Sequence, residues 1–294
     1  MMKNLLLCCG LAIAFTSCQK GEGSEQPINN GGTTGGLATV PATFTQKVLI
    51  ETFTGAGQPQ CTDGFVKLDN IVAGNTAKAI PVSVHFSDVM EIAQYTSLAN
   101  AYSNGNPMTF PSGMINRTAS LGMVILNRTQ WQSNFDVAKA KTAKCGLAIE
   151  STINGSNANI TVHCGFSQAL TGNYTVTVYL LEDQVSGTNG TYDQRNAYHT
   201  SSGHPYNGLG DPIVNFSHDH VLRKVLTAPL GDALSNTALT TGGKEIKTFT
   251  TGISGYKTGD LSVVAFITKT GSTATGYEIM NAQRVKLGST QSWD

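Results

Sequence analysis

Residues 51–64 read ETFTGAGQPQCTDG. They follow KVLI at residues 47–50 and precede FVKLDNIV at residues 65–72. The β-branched, apolar run 47–53 predicts a buried strand. Phe65, Val66, Leu68, Ile71 and Val72 share one face of a helix over residues 63–73. A Gly-rich turn joins the two and ends on Cys61, the one cysteine of the stretch. At a helix N-terminus the dipole and the free N–H groups stabilise a thiolate, so this is the setting of a redox centre. A dithiol centre needs two cysteines, and this stretch has one.

Working outward, residues 80–86 (IPVSVHF) read as a second strand and 96–103 as a short helix. Residues 110–116 (FPSGMIN) form a third extended segment, 121–126 a short fourth strand, and 129–141 a helix with Trp131, Phe135 and Ala138 on one face. The order β-α-β-α-β-β-α predicts a thioredoxin-like α/β domain over residues 46–143. From residue 144 to the C-terminus the pattern changes to alternation, with strands at 145–151, 159–166, 174–181, 221–225, 244–251, 261–268 and near 279–285. Short strands at turn-separated intervals predict an all-β second domain, an immunoglobulin-like β-sandwich over residues 144–294. Asn154-Gly155 predicts a two-residue hairpin turn pairing Ile153 with Ser156. That register sets Ile149 opposite Ile160, Leu147 opposite Val162 and Cys145 opposite Cys164. The two cysteines would form a hydrogen-bonded pair near the Cα spacing of a disulfide, and are either bridged or two small buried thiols.

Charged residues are 13% of the 294 and formally cancel, which removes any electrostatic case for nucleic acid. Lys3 and the apolar run 5–15 form a signal peptide over residues 1–17, too short to span a bilayer. Phe15-Thr16-Ser17-Cys18 resembles a lipobox, making Cys18 the lipidated residue of a membrane-anchored chain. Residues 18–45 then form a tether rich in Gly, Asn, Ser and Thr. Only Cys61, Cys145 and Cys164 remain in the mature domains, an odd number for an oxidising compartment.

The lipobox, the ETFTG turn, FPSGMINR, LLEDQVSG and FSHDHVLRKVL occur in an order that resembles the Bacteroidetes outer-membrane lipoprotein family named after a twenty-eight-kilodalton outer-membrane protein. The resemblance runs from about residue 47 to the C-terminus and implies a thioredoxin-like domain followed by an all-β domain, with an adhesin or receptor role suggested for the family. Many relatives carry Cys-x-x-Cys-Pro after the Phe-Thr-Gly turn. Here the first cysteine position falls on Gln58, the second on Cys61, and Thr62 stands in place of the proline. Gln58 cannot attack a disulfide, so dithiol turnover has no route and the domain is a degenerate redox scaffold. Pro111 resembles the cis-proline that faces the redox motif in this fold.

Residues 192–216 form a long loop of the kind that is often functional. His199, His204, His218 and His220 cluster in and just after it, with Asp211 and Asp219 nearby. They are read either as a surface metal site or as turn-capping and packing groups, since no Cys or Glu at ligand spacing completes a set. Tyr192, Tyr198, Tyr206 and Phe216 border the loop, either as a protein- or glycan-binding surface or packed beneath it. His85, followed by Asp88, ends the second strand near the redox edge and either contacts a ligand or is a hydrogen-bonded core histidine. No phosphate loop, dinucleotide fingerprint or nucleophile elbow occurs, and no cofactor is expected. The reading is a non-enzymatic, lipid-anchored outer-membrane or surface lipoprotein with a binding or adhesion role. The alternative is a periplasm-facing monothiol redox or thiol-sensing protein acting through Cys61.

Overall fold

Every residue of the strand β1 (Val48–Thr54) is buried, because its alternate side chains enter two different cores. The computed structural model describes Leu37 and residues 39–294; the signal peptide, Cys18 and the tether up to residue 36 lie outside the described residues. The helix α1 (Cys61–Ala73) follows the Gly-rich turn, then β2 (Ala79–His85), α2 (Tyr95–Ser103), β3 (Ser112–Ile115), the short β4 (Leu126–Asn127) and α3 (Trp131–Lys139). The second half is all β: β5 (Cys145–Asn154), β6 (Asn157–Phe166), β7 (Tyr174–Glu182), β8 (Val221–Val225), β9 (Asp232–Ala233), β10 (Lys244–Gly252), β11 (Leu261–Lys269), β12 (Glu278–Lys286) and β13 (Thr290–Gln291). The strand expected at 121–126 is largely a tight turn, in which Ser120 and Met123 exchange backbone hydrogen bonds, and pairing begins only at Leu126.

The mixed α/β chain builds two sheets. Nine strands form the larger, in the order β12-β11-β7-β8-β2-β1-β3-β4 with β9 paired to β7. The smaller runs β10-β6-β5-β13. β2 joins β8 through the parallel pair Ser83 and Val221, so segments 46–143 and 144–294 share one sheet. One face of this sheet carries α1 and α3 over Val48, Ile50 and Ile115, and the smaller sheet over Val176, Val178, Val263 and Ala265. α2 and its following loop cover the other face, over Phe53, Val82, Tyr179 and Phe266. The strand periodicity of two thus sorts one sheet between three cores.

Charge lies inside this sheet. Arg117 and Glu51 are 0% and 1% exposed and form a bidentate pair with both contacts at 2.7 Å. Arg117 also donates to the hydroxyls of Tyr102 at 2.6 Å and Tyr179 at 3.1 Å. Burial alone would pull the guanidinium pKa down, but Glu51 and the two phenols raise it well above its ordinary value.

The β5–β6 hairpin corrects the expected register. Gly155-Ser156 is the turn and Asn154 pairs with Asn157, which places Ile149 opposite Val162, Leu147 opposite Cys164 and Cys145 opposite Phe166. Gly155 has φ 57° and occupies the first central position, where a type II′ turn needs its glycine. Cys145 and Cys164 are therefore diagonal neighbours in one core, not an opposed pair, and both are free buried thiols. Burial raises both thiol pKa values. On the outer face of the same sheet Gly146 opposes Gly165, and Phe44 and Trp293 lie over them. A Cβ on Gly146 would come within 2.2 Å of the Phe44 ring.

Candidate functional site

The turn after β1 needs its first glycine: a Cβ on Gly55 would stand 2.6 Å from the Phe86 carbonyl oxygen. The backbone then tightens, with Gln58 N–H donating to Gly55 and Cys61 N–H to Gln58, each at 3.0 Å. Cys61 opens α1 but is 0% exposed, and burial raises its thiol above the usual range. Phe110-Pro111 is a cis peptide, and Pro111 packs on the first turns of α1, where a Cβ on Gly64 would meet it at 2.8 Å. The strand, turn, helix and facing proline expected from residues 51–64 and 110–116 therefore come together, with Gln58 half-buried and Cys61 sealed.

The long loop between β7 and β8 lies over this turn as a strap. Arg195 N–H donates to Ala56 O at 2.8 Å and Ala197 N–H to Pro59 O at 2.9 Å. Gln194, itself fully buried, donates from Nε2 to Gln58 O at 3.1 Å. Asn196 organises the strap from within. Its Nδ2 donates to Tyr206 O and Gly210 O at 2.9 and 3.0 Å, while its Oδ1 accepts from Tyr198 N–H at 3.0 Å and Thr62 Oγ at 3.4 Å. Arg195 is paired with Asp211 at 2.8 Å. Tyr198 donates to Gln60 Oε1 at 2.7 Å and accepts from Arg128 at 3.0 Å, and Arg128 pairs with Asp63 in the first turn of α1. Phe216 stacks on Phe65 of α1 at 5.5 Å.

The four loop histidines go to separate places. His204 stacks on Tyr198 at 4.2 Å and lies 3.6 Å from Asp63. His199 bonds the Asn196 carbonyl at 2.9 Å. His220 faces Asp183 at 3.0 Å and Arg284 at 3.3 Å. His218 is buried edge-on to His85 at 5.2 Å and bonds Tyr192 O at 2.9 Å. Burial, then the neighbouring charge of His85, brings its pKa down to about 4. His85 in turn bonds Asp88 at 2.8 Å, and Asp88 accepts from the N–H groups of Ala56 and Met90, each at 2.8 Å. Burial pushes the Asp88 carboxyl up, but these bonds and His85 outweigh it and hold it below its ordinary value. Among the described residues no group of three His, Cys, Asp or Glu is placed to hold a metal ion, and His199, His204, His218 and His220 are each engaged in the separate packing or hydrogen-bonding contacts above. Asp219 bonds the Gln184 N–H at 2.8 Å.

Gln194, Asn196 and Arg128 carry this closure and were not distinguished by sequence. Their partners lie 65 to 139 residues away or are backbone atoms, which no local pattern reveals. The clue present in the sequence is Thr62, whose hydroxyl meets Asn196 where a proline would offer nothing. Among the described residues no helix is long and apolar enough to cross a membrane.

The family model for outer membrane protein Omp28 matches residues 99–291. No curated protein matches this chain. Among solved structures, HBP35 of Porphyromonas gingivalis is similar with a TM-score of 0.64 and 19% identity, over 83% of this chain and 76% of that one. A protein from Agrobacterium tumefaciens is similar with a TM-score of 0.48 and 13% identity, over 85% of this chain and 98% of that one. At 19% identity the likeness to HBP35 is one of fold.

Proposed function

This chain belongs to the Omp28 family of outer membrane proteins, and from that premise we propose a lipid-anchored, non-enzymatic binding protein whose thioredoxin-like half is a scaffold. Anchoring is through Cys18. The partner is a protein or glycan at the outer membrane or cell surface. The two facing sheets fit an immunoglobulin-like sandwich, one sheet of which is extended by the α/β strands. One observation carries the reading: the strap is hydrogen-bonded across the turn at Ala56, Gln58 and Pro59, over a cysteine that is 0% exposed and stands alone. A disulfide substrate has no path to the Cys61 sulfur while those bonds hold, and Gln58 offers no nucleophile in its place.

The test uses the purified chain. Insulin reduction in the presence of dithiothreitol is expected to stay at the uncatalysed rate, and a maleimide probe is expected to label Cys61 only after denaturation. Fast labelling of native Cys61 would favour the monothiol reading instead. Protease shaving of intact cells, with mass spectrometry of the released peptides, checks surface exposure.

A further inference from the structure

A second concave site lies away from the strap, on the face of the large sheet that α2 covers. It is a cleft of about 480 Å³ between the C-terminal end of α2, the extended segment 106–109, the turn leading to β4 and the loop 273–275. That volume is within the ~300–1,000 Å³ usual for ligand sites. Its floor is apolar, from Met108, Val124, Ile125 and Ala274. Its polar lining is all amide and hydroxyl, and no Asp, Glu, Lys or Arg lines it.

The turn at its rim is built against local preference. Leu121 and Gly122 are the central residues of a two-residue hairpin turn, with φ 50° and 80°. Positive φ at both positions is the type I′ geometry, which favours Asn-Gly. A leucine there crowds its Cβ against the following carbonyl. Leu121 is also 90% exposed, the highest value among the large hydrophobic side chains of the described residues, and Met123 beside it is 52% exposed. One position thus combines an unfavourable backbone with an unburied apolar side chain. Sequences that break local rules in this way tend to do so at functional sites.

We propose that this cleft binds an extended, uncharged peptide segment, with Leu121 and Met123 closing over it. One wall presents main chain ready to pair: the backbone groups of Met108 and Thr109 make no hydrogen bond within the described residues. The side chains of Asn104 and Thr109 are exposed, make none either, and can donate or accept. Peptide recognition by strand addition uses main-chain bonds for affinity and pockets for alternate side chains. Met108 and Met123 supply a deformable contact for such side chains. A charged ligand would meet no counter-charge. A glycan would lack an open aromatic platform, since Tyr102, the one aromatic residue of the lining, is 2% exposed. The proposal rests on the binding role only in supposing an external partner, and it is independent of the state of Cys61.

The test screens the purified chain against an array of short neutral peptides with Leu, Ile, Val or Phe at alternate positions. Counterparts carry Asp or Lys at those positions. The best binder, labelled with fluorescein, is titrated by anisotropy. Saturable binding is expected, at least ~10-fold weaker for the charged counterparts and at least ~10-fold weaker for Met123→Asp. Leu121→Asn is expected to weaken binding while raising the thermal unfolding midpoint, because asparagine tolerates this backbone and leaves no apolar side chain exposed. Val137→Asp, at a 66% exposed position on α3 beneath the opposite face of the sheet, is expected to leave binding unchanged. Absence of saturable binding overturns the proposal. So does peptide binding that survives Met123→Asp and Leu121→Asn, which would leave a binding role but remove it from this cleft. A lower midpoint for Leu121→Asn with unchanged affinity would also overturn it, by assigning Leu121 to stability.

Discussion

Glu51→Gln is the sharpest test of how the large sheet is held together. Glu51 stands on β1, Tyr179 on β7 and Tyr102 on α2, and Arg117 follows β3, so their cluster ties both halves of the chain at one point. The carboxylate accepts two guanidinium bonds at 2.7 Å and a phenol bond at 3.2 Å from Tyr179. Glutamine keeps the shape but turns an NH₂ toward Arg117 and removes the counter-charge. Arg117 is 0% exposed and cannot reach water, and its remaining supports are the Tyr102 and Tyr179 hydroxyls at 2.6 and 3.1 Å and the Tyr102 and Phe266 rings at 4.7 and 4.9 Å, none of which carries a counter-charge. Breaking a buried pair from one side costs about 3–5 kcal/mol, a large share of the ~5–15 kcal/mol by which proteins are stable. At about 2 °C per kcal/mol for a chain of this size, the thermal midpoint should fall by roughly 6–10 °C. Circular dichroism melts and urea titrations measure it. Glu51→Leu combined with Arg117→Met removes both charges, and should recover most of the loss. A cost for Glu51→Gln below ~1 kcal/mol, the range of an exposed pair such as Lys141–Glu278, would refute the reasoning. So would a double variant less stable than the single.

The closed strap should weaken in acid. His218 has a pKa of about 4 against an ordinary 6.5, so its closed form stays neutral while the released imidazole takes a proton. Stability from this group is complete above about pH 6.5 and lost as pH falls toward 4, by about 3 kcal/mol in all. Hydrogen exchange across residues 192–218 should accelerate through that window, and less steeply in His218→Gln, while Asp88, held below its ordinary pKa, adds a further loss only at lower pH. Asn196→Ala removes the hub of the strap and should speed maleimide labelling of Cys61 at least ~10-fold, in line with the ~1–3 kcal/mol for unpairing buried polar groups; an unchanged rate would detach the strap from the thiol. Gly155→Val should destabilise the β5–β6 hairpin by about 1 kcal/mol or more in urea unfolding, because a β-branched residue is strongly disfavoured at φ 57° in the first central position of a type II′ turn. Gly146→Ala should drive Phe44 off the smaller sheet and shift Trp293 fluorescence to the red, the two rings being 5.9 Å apart.

Periodicity carried most of the secondary structure. The alternating runs near 174, 244, 261 and 279 and the helical face of Phe65, Leu68 and Ile71 appear within a residue or two of where they were expected, because each element buries one side. Pairing between distant strands was not legible. Ser83 and Val221 are 138 residues apart, and nothing local in either marks the other as its neighbour. That one contact turns two expected domains into a shared sheet. The hairpin register failed for a different reason. Asn154-Gly155 fits a type I′ turn, and Gly155-Ser156 fits type II′ equally well by local chemistry. Packing decides between them: either register keeps Ile149, Val162 and Cys164 facing the core, so alternation could not reveal the slip of two.

On the proposed reading, the strap and the glutamine at the first cysteine position are better explained together than apart. A nucleophilic cysteine works only if a disulfide can reach it, and the strap's bonds to Ala56, Gln58 and Pro59 occupy that approach. A chain that kept a cysteine at position 58 would have to open the strap at each turnover, breaking those bonds and unstacking Phe65 from Phe216. On the proposed reading Gln58 leaves no turnover to obstruct, and the covering groups can be fully used: Gln194, Asn196 and Cys61 are all buried to 0% exposure. Thr62 fits this reading. Proline after the second cysteine position would remove the hydroxyl that meets Asn196, so the substitution that weakens the redox motif also contributes a contact to its cover. Replacing Gln58 with cysteine should therefore not restore reductase activity unless Asn196 is replaced as well, which insulin reduction by the single and double variants would decide. Activity in the Gln58→Cys variant alone would show that the strap opens freely.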